Sequence, residues 1–182
     1  MPTDDRAVER AAEDAIGTHP QIKEVAVVLV DGALTAAAVP VALASAPEIR
    51  DHAWALLGDE RSPRTIALLT ALPRNGGGEV DRAELLRVLT DDDPPASTYT
   101  APRTPLEGQV ADVFAEVLGA PRVGIDDDFL ELGGDSLSAI EAANLLEQRA
   151  GLQVPLEELF EAATVRSLVA RFAGGVEGGA QP

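Results

Sequence analysis

The sequence has no cysteine, a single lysine (Lys23) and two histidines (His19 and His52), and aromatic residues make up only 3% of its 182 positions. Each scarcity excludes something. Without cysteine there is no disulfide framework and no thiolate metal site. Few aromatics leave little with which to stack nucleic-acid bases. A formal net charge of −17 opposes a phosphate backbone more firmly still. No apolar run approaches the ~20 residues that cross a bilayer, and the N-terminus lacks a charged-then-apolar signal segment. The expectation is a cytoplasmic protein with neither a membrane nor a nucleic acid as partner. What is plentiful is apolar and acidic. Hydrophobic residues reach 46%, enough to build a core, and the acidic surface suits basic partners met at salt-sensitive rates.

The length fits one ordinary domain or two small ones, and the pattern favours two. The stretch from Thr90 to Arg103, TDDDPPASTYTAPR, is charged, Pro-rich and aperiodic, which places a linker over 91–103. The end, GGVEGGAQP over 174–182, reads as a disordered tail. In residues 1–90 the element types are mixed. Val8, Ala11, Ala12, Ala15 and Ile16 form a helix face. EVAVVLV and ALTAAAVPV flank Asp31-Gly32, a hairpin signal. EIRDHAWALL is helical, TIALLTAL is a buried strand, and DRAELLRVL is a helix capped by Asp81. The order predicts a small α+β sandwich, with helices on an antiparallel sheet.

Residues 104–173 read as helices only. Thr104, Pro105 and Glu107 make a helix start with a capping box, and Leu106, Val110, Val113, Phe114, Val117 and Leu118 follow on one face. A second helix spans about Ser136 to Ala150, with Gly151 to end it. A short one covers PLEELF, and a fourth begins at Thr164 with Val165, Leu168, Val169 and Phe172 on a stripe. This predicts an all-α four-helix bundle. It holds 13 acidic and 4 basic residues, a net of −9.

Between the first two helices of that bundle lies FLELGGDSLSAI, residues 129 to 140. Gly134-Asp135-Ser136-Leu137-Ser138 begins like a nucleophile elbow but lacks its second glycine. The only histidines that could activate the serine lie in the other module. An EF-hand fails too: counted from Asp126, the sixth residue is Glu131 and the twelfth Leu137. A helix start capped by Asp135 or Ser136 is part of the answer. Two features go beyond it. Ala139, Ala142, Ala143, Leu146 and Ala150 form a packing face, while Leu137 and Ile140 lie off it beside Glu141, Asn144 and Glu147, a docking surface for a basic partner. A helix N-terminus with free N–H groups also favours a phosphate on its first side chain.

The run DDDFLELGGDSLSAI, with the ending VPLEELFEAATVRSLVARF, resembles the peptidyl carrier (thiolation) domains of nonribosomal peptide synthetases from about Thr104 to Phe172. The resemblance implies that Ser136 bears 4′-phosphopantetheine, installed from coenzyme A by a phosphopantetheinyl transferase, with Gly134, Asp135 and Leu137 around the attachment point. It also implies that the arm holds an aminoacyl or acyl thioester and presents it to condensation or tailoring enzymes, so the domain does no bond chemistry itself.

Residues Val8 to Leu89, with HPQIKEVAVV and TALPRNGGGEVDRAELL, resemble the C-terminal subdomain of adenylation enzymes, whose pattern is close to L-P-x-T-x-N-G-K-V-D-R. Leu72, Pro73, Gly78, Val80, Asp81 and Arg82 match. The family's lysine falls on Glu79, a carboxylate that repels the anions the lysine would hold. The Gly76–Gly78 run lacks the Lys-Ser/Thr of a phosphate loop and reads as a turn. No metal site is implied. The expectation is a stand-alone, non-enzymatic carrier of secondary-metabolite biosynthesis, loaded in trans by a separate adenylation enzyme. The alternatives are a subdomain that completes a truncated adenylation core, an acyl carrier for polyketide-type cargo, and an unmodified scaffold.

Overall fold

A computed structural model describes residues 5–42, 44–90, 96–161 and 164–172. Residues 91–95 of the expected linker and the expected tail at 174–182 lie outside them. The chain forms two compact units, Met1–Thr98 and Tyr99–Pro182.

The first unit runs α1 (Asp5–Gly17), β1 (Ile22–Val30), β2 (Ala33–Pro40), α2 (Ala46–Leu57), β3 (Thr65–Leu68), α3 (Arg82–Thr90) and β4 (Ala96–Thr98). Asp31 and Gly32 both take positive φ, 50° and 80°, the turn that matches the twist of a tight hairpin. β1 and β2 accordingly pair antiparallel, with Val30 opposite Ala33. The strand order is β1-β2-β3-β4. Strand side chains alternate between faces, and both faces of this sheet are covered. Ala36, Ala38, Val27 and Ile66 pack with Ala12 and Ile16 of α1 and Ile49 and Ala53 of α2. Ala37, Val39, Ala26 and Val28 pack with Leu85 and Leu89 of α3.

The expected antiparallel sheet needs correction. β2 and β3 pair in parallel, Thr35 opposite Thr65, so the sheet is mixed. The connection between them contains α2, and a helical crossover returns the next strand in the same direction where a short hairpin cannot. A second difference lies within the expected linker. Ala96–Thr98 form β4, antiparallel to β3, with the Thr98 and Thr65 hydroxyls 3.0 Å apart. Asp81 caps α3 as its sequence implies, its carboxylate accepting from the Ala83 and Glu84 N–H groups.

The described part of the second unit contains α4 (Pro105–Leu118), α5 (Ser136–Ala150), α6 (Leu156–Glu161) and α7 (Val165–Phe172). Thr104 and Glu107 complete the capping box at the start of α4, and Gly119 ends it in the left-handed region. Gly151 ends α5 in the same way. Val110, Val113 and Phe114 of α4 meet Ala139, Ala142 and Leu146 of α5 and Leu168 of α7 in one core. Phe129, from the long loop between α4 and α5, joins that core against Phe114, ring centroids 4.8 Å apart. Burying each such side chain stabilises the unit by about 2–3 kcal/mol. Burial of Phe129 also anchors the loop that leads to Ser136.

Candidate functional site

Ser136 is the first residue of α5 and is exposed. The two glycines before it have different jobs. Gly133 has φ +91°, a conformation that side-chain-bearing residues rarely adopt. Gly134 lies against Phe129: a Cβ there would stand 2.3 Å from the ring Cδ1 and 2.5 Å from the Phe129 carbonyl oxygen. The Gly134 N–H donates to that same carbonyl at 2.9 Å. Gly134 thus presses the chain onto a buried ring and fixes where α5 begins.

The helix is capped by the neighbours of Ser136. The Asp135 carboxylate accepts from the Leu137 and Ser138 N–H groups at 3.0 and 2.9 Å. The Asp135 N–H donates to the Ser138 hydroxyl at 2.8 Å. The Ser138 N–H and then the Ser138 hydroxyl hold the Asp135 carboxyl below its ordinary range, with the Leu137 N–H adding to them and desolvation opposing. Sequence reasoning offered these N–H groups to a phosphate. Two of them are taken by Asp135, so the cap holds an anion of its own and a further anion next to it meets like charge.

The residues expected to dock partners are exposed, as their spacing implies. Leu137 and Ile140 are 74% and 47% exposed, and Glu141, Asn144 and Glu147 are exposed as well. Ala139, Ala142, Leu146 and Ala150 of the same helix are buried. Asn144 and Glu147, with Ala143, Gln153, Val154 and Pro155, line an open cleft of about 360 Å³.

The acidic run ahead of the serine splits into three separate structural tasks, which the sequence did not reveal. Asp126 binds the Arg166 guanidinium through both oxygens, at 2.5 and 2.9 Å. Buried Asp127 accepts from the Gly124 N–H at 2.7 Å. Asp128 accepts from the Leu130 and Glu131 N–H groups. The proximity of an arginine forty positions away had no local signal.

In the first unit, Glu79 is exposed on a tight turn. Asn75 organises that turn: its side-chain oxygen accepts from the Gly77 and Glu79 N–H groups, Gly78 takes φ +83°, and Arg74 pairs with Val80 across it. The Arg74 guanidinium reaches the Gly78 carbonyl and Glu24. Arg82 is tied to Glu9, Glu13 and the Val27 carbonyl. His19 packs edge-on against His52, centroids 5.0 Å apart. Among the described residues no helix is long and apolar enough to cross a membrane.

Residues 108–172 match the family model described as the phosphopantetheine attachment site. The chain is 42% identical over 124 residues to one of the linear gramicidin synthase proteins of Brevibacillus parabrevis, covering 68% of this chain and 2% of that protein. It is 36% identical over 169 residues to the dimodular nonribosomal peptide synthase of Bacillus subtilis (strain 168), covering 90% and 7%. Among solved structures, a non-ribosomal PCP domain shares 35% identity with a TM-score of 0.37, covering 39% of this chain and 91% of that one. The phosphopantetheine transferase Sfp in complex with coenzyme A and a peptidyl carrier protein gives 32% identity and a TM-score of 0.40, over 42% and 99%. The chain therefore spans a small fraction of the synthases it matches. Its segment 108–172 belongs to the phosphopantetheine-attachment family and is a peptidyl carrier (thiolation) domain. Domains of this family carry 4′-phosphopantetheine covalently, and an exposed serine at a helix start fits such a group.

Proposed function

We propose that Ser136 is the attachment point of 4′-phosphopantetheine, and that the chain carries an aminoacyl or acyl thioester in nonribosomal peptide assembly, charged by a separate adenylation enzyme. One observation carries this reading: the Ser136 hydroxyl is exposed at the first position of α5, while Asp135 and Ser138 do the capping. A serine kept out of its own helix cap is free to be modified without loss of the helix. Its oxygen would attack the coenzyme A phosphorus that bears the pantetheine arm, the pyrophosphate P–O bond would break with adenosine 3′,5′-bisphosphate leaving, and the serine proton would pass to a base. That base is assigned to the transferase. The arm supplies a thiol that holds acyl groups by thioester exchange. Negative Asp135 would disfavour folding of a phosphodiester back onto the helix terminus.

In this reading residues 1–90 are a degenerate adenylation C-terminal subdomain and 104–173 the four-helix carrier. The similarity to the dimodular synthase extends over 169 residues, more than the second unit contains, which supports a synthase origin for the first. Glu79 in place of lysine leaves that subdomain unable to hold adenylate oxygens. Its role is then to recruit the loading enzyme, with Leu137, Ile140, Glu141, Asn144 and Glu147 docking the transferase and the condensation or tailoring enzymes in the cytoplasm. Incubation with coenzyme A and a broad-specificity transferase tests the assignment. The chain should gain one phosphopantetheinyl group, Ser138→Ala should keep most of that gain, and Ser136→Ala should gain nothing. Modification of Ser136→Ala would sink it.

A further inference from the structure

The loop between Leu118 and Ser136 has no regular secondary structure of its own, yet its middle is gripped by two segments distant in sequence. The Ile125 N–H donates to the Thr100 carbonyl at 2.8 Å, and the Ile125 carbonyl accepts from the Arg166 N–H at 2.9 Å. Asp126 repeats the arrangement with side chains. Its carboxylate receives the Arg166 guanidinium at 2.5 and 2.9 Å, and the Thr100 side chain also favours its charged form. The same stretch packs close: a Cβ on Gly124 would meet the Tyr99 ring at 3.1 Å and the Thr100 nitrogen at 3.2 Å. The Arg122 guanidinium stands 4.2 Å over the Tyr99 ring. From this point the fixed path continues through the Asp128–Thr164 bridge and the Phe129 ring to Gly134.

We infer that Thr100, Asp126 and Arg166 form a clamp that positions the serine loop, and that they are positioning residues for modification of Ser136. The inference rests on the reading of Ser136 as the attachment site. Thr100 belongs to a stretch whose sequence reads as linker; here it is a working part of the carrier. A loop left free would have to be ordered when the transferase binds, and prior ordering removes that cost. The Arg166–Asp126 pair is about half exposed, 46% and 43%, and such pairs add little to global stability. Its effect is therefore expected in local order and in recognition.

The test uses the full chain with Asp126→Asn, Arg166→Ala, Arg166→Lys and Thr100→Val. Amide exchange over 124–135 is measured before modification, and kcat and KM are measured for transfer from coenzyme A by a broad-specificity transferase. Arg166→Ala and Asp126→Asn should speed exchange about five- to tenfold and raise KM by a similar factor, with kcat within about twofold. Arg166→Lys keeps the charge without the two-pronged geometry and should recover part of both. If Arg166→Ala does not fold, Thr100→Val, which removes one hydroxyl, carries the same test with a smaller effect. Wild-type exchange in these variants overturns the clamp, and faster exchange with an unchanged KM overturns its positioning role. A wild-type chain that accepts no phosphopantetheine overturns the Ser136 reading, while the exchange data still decide whether the clamp orders the loop.

Discussion

Two adjacent glycines show how identical residues can be required for unrelated reasons. At Gly133 the backbone is left-handed and the surrounding space is open, so alanine should cost about 1 kcal/mol of conformational strain. At Gly134 the backbone is not in that region, but a Cβ collides with the Phe129 ring and its carbonyl oxygen. Neither can yield easily, because the ring is fully buried and the carbonyl is backbone. Gly134→Ala should therefore cost about 3 kcal/mol and lower the rate of modification at Ser136 as the helix start shifts. Urea unfolding of the two single variants checks the ranking; equal losses would contradict it. Asp126 supplies a pH dependence at the same scale. Arg166 first, then the Thr100 hydroxyl, holds its carboxyl below the ordinary value of 3.8. Its contribution is then fully present above about pH 4 and is lost as pH falls through the lower folded value. Exchange over 124–135, corrected for intrinsic rates, should stay flat from neutral pH down to about 4 and rise below it.

At the scale of elements, β1 is a sheet edge, and an open edge invites pairing with another chain. Side chains occupy its centre. The Val27 N–H donates to Glu13 at 2.9 Å, and the Val27 carbonyl accepts from Arg82 at 2.7 Å. Arg82 is itself paired with Glu13 and Glu9. Arg82→Ala leaves the Val27 carbonyl and Glu9 without their arginine and Glu13 with only the Val27 N–H. It should destabilise the first unit by about 1–2 kcal/mol and promote self-association, read by urea midpoint and sedimentation velocity. A wild-type midpoint would contradict the assignment. The legible elements were those whose signals are local. Asp31-Gly32, the Thr104 capping box, and α5 from Ser136 to its Gly151 stop could be read because each cap or turn lies within a few residues of what it satisfies. β4 escaped because three residues are too few to display a period, and its pairing partner is Ala67 and its neighbours, about thirty positions away. The parallel pairing of β2 and β3 escaped for a related reason: order along the chain does not state the direction in which a crossover returns. At the site, the exposure of Ser136, Leu137 and Ile140 followed from helical periodicity. The clamp did not, because Thr100, Asp126 and Arg166 meet only through the tertiary fold. The sequence left open which residue, Asp135 or Ser136, would take the N–H groups of the helix start; in the structure Asp135 takes those of Leu137 and Ser138.

At the scale of the whole molecule, charge sets how the chain meets its partners. The excess is strong in the carrier, with 13 acidic and 4 basic residues over 104–173. Encounter with a basic loading enzyme or transferase should accelerate as ionic strength falls, since screening shortens to about 10 Å at 0.1 M salt. Leu137 is 74% exposed, so Leu137→Ala should lower kcat/KM with such enzymes several-fold while leaving the melting temperature unchanged. A parallel loss of stability would show that Leu137 serves the fold instead. The carrier reading turns on attachment at Ser136, and a single observation addresses it. The intact mass of the chain isolated from its producing organism, with fragmentation to locate any added group, should show phosphopantetheine on Ser136, with or without a thioester cargo. Because the chain has no cysteine, any reactive thiol belongs to the arm. An unmodified mass that stays unmodified with coenzyme A and a transferase would contradict the carrier function.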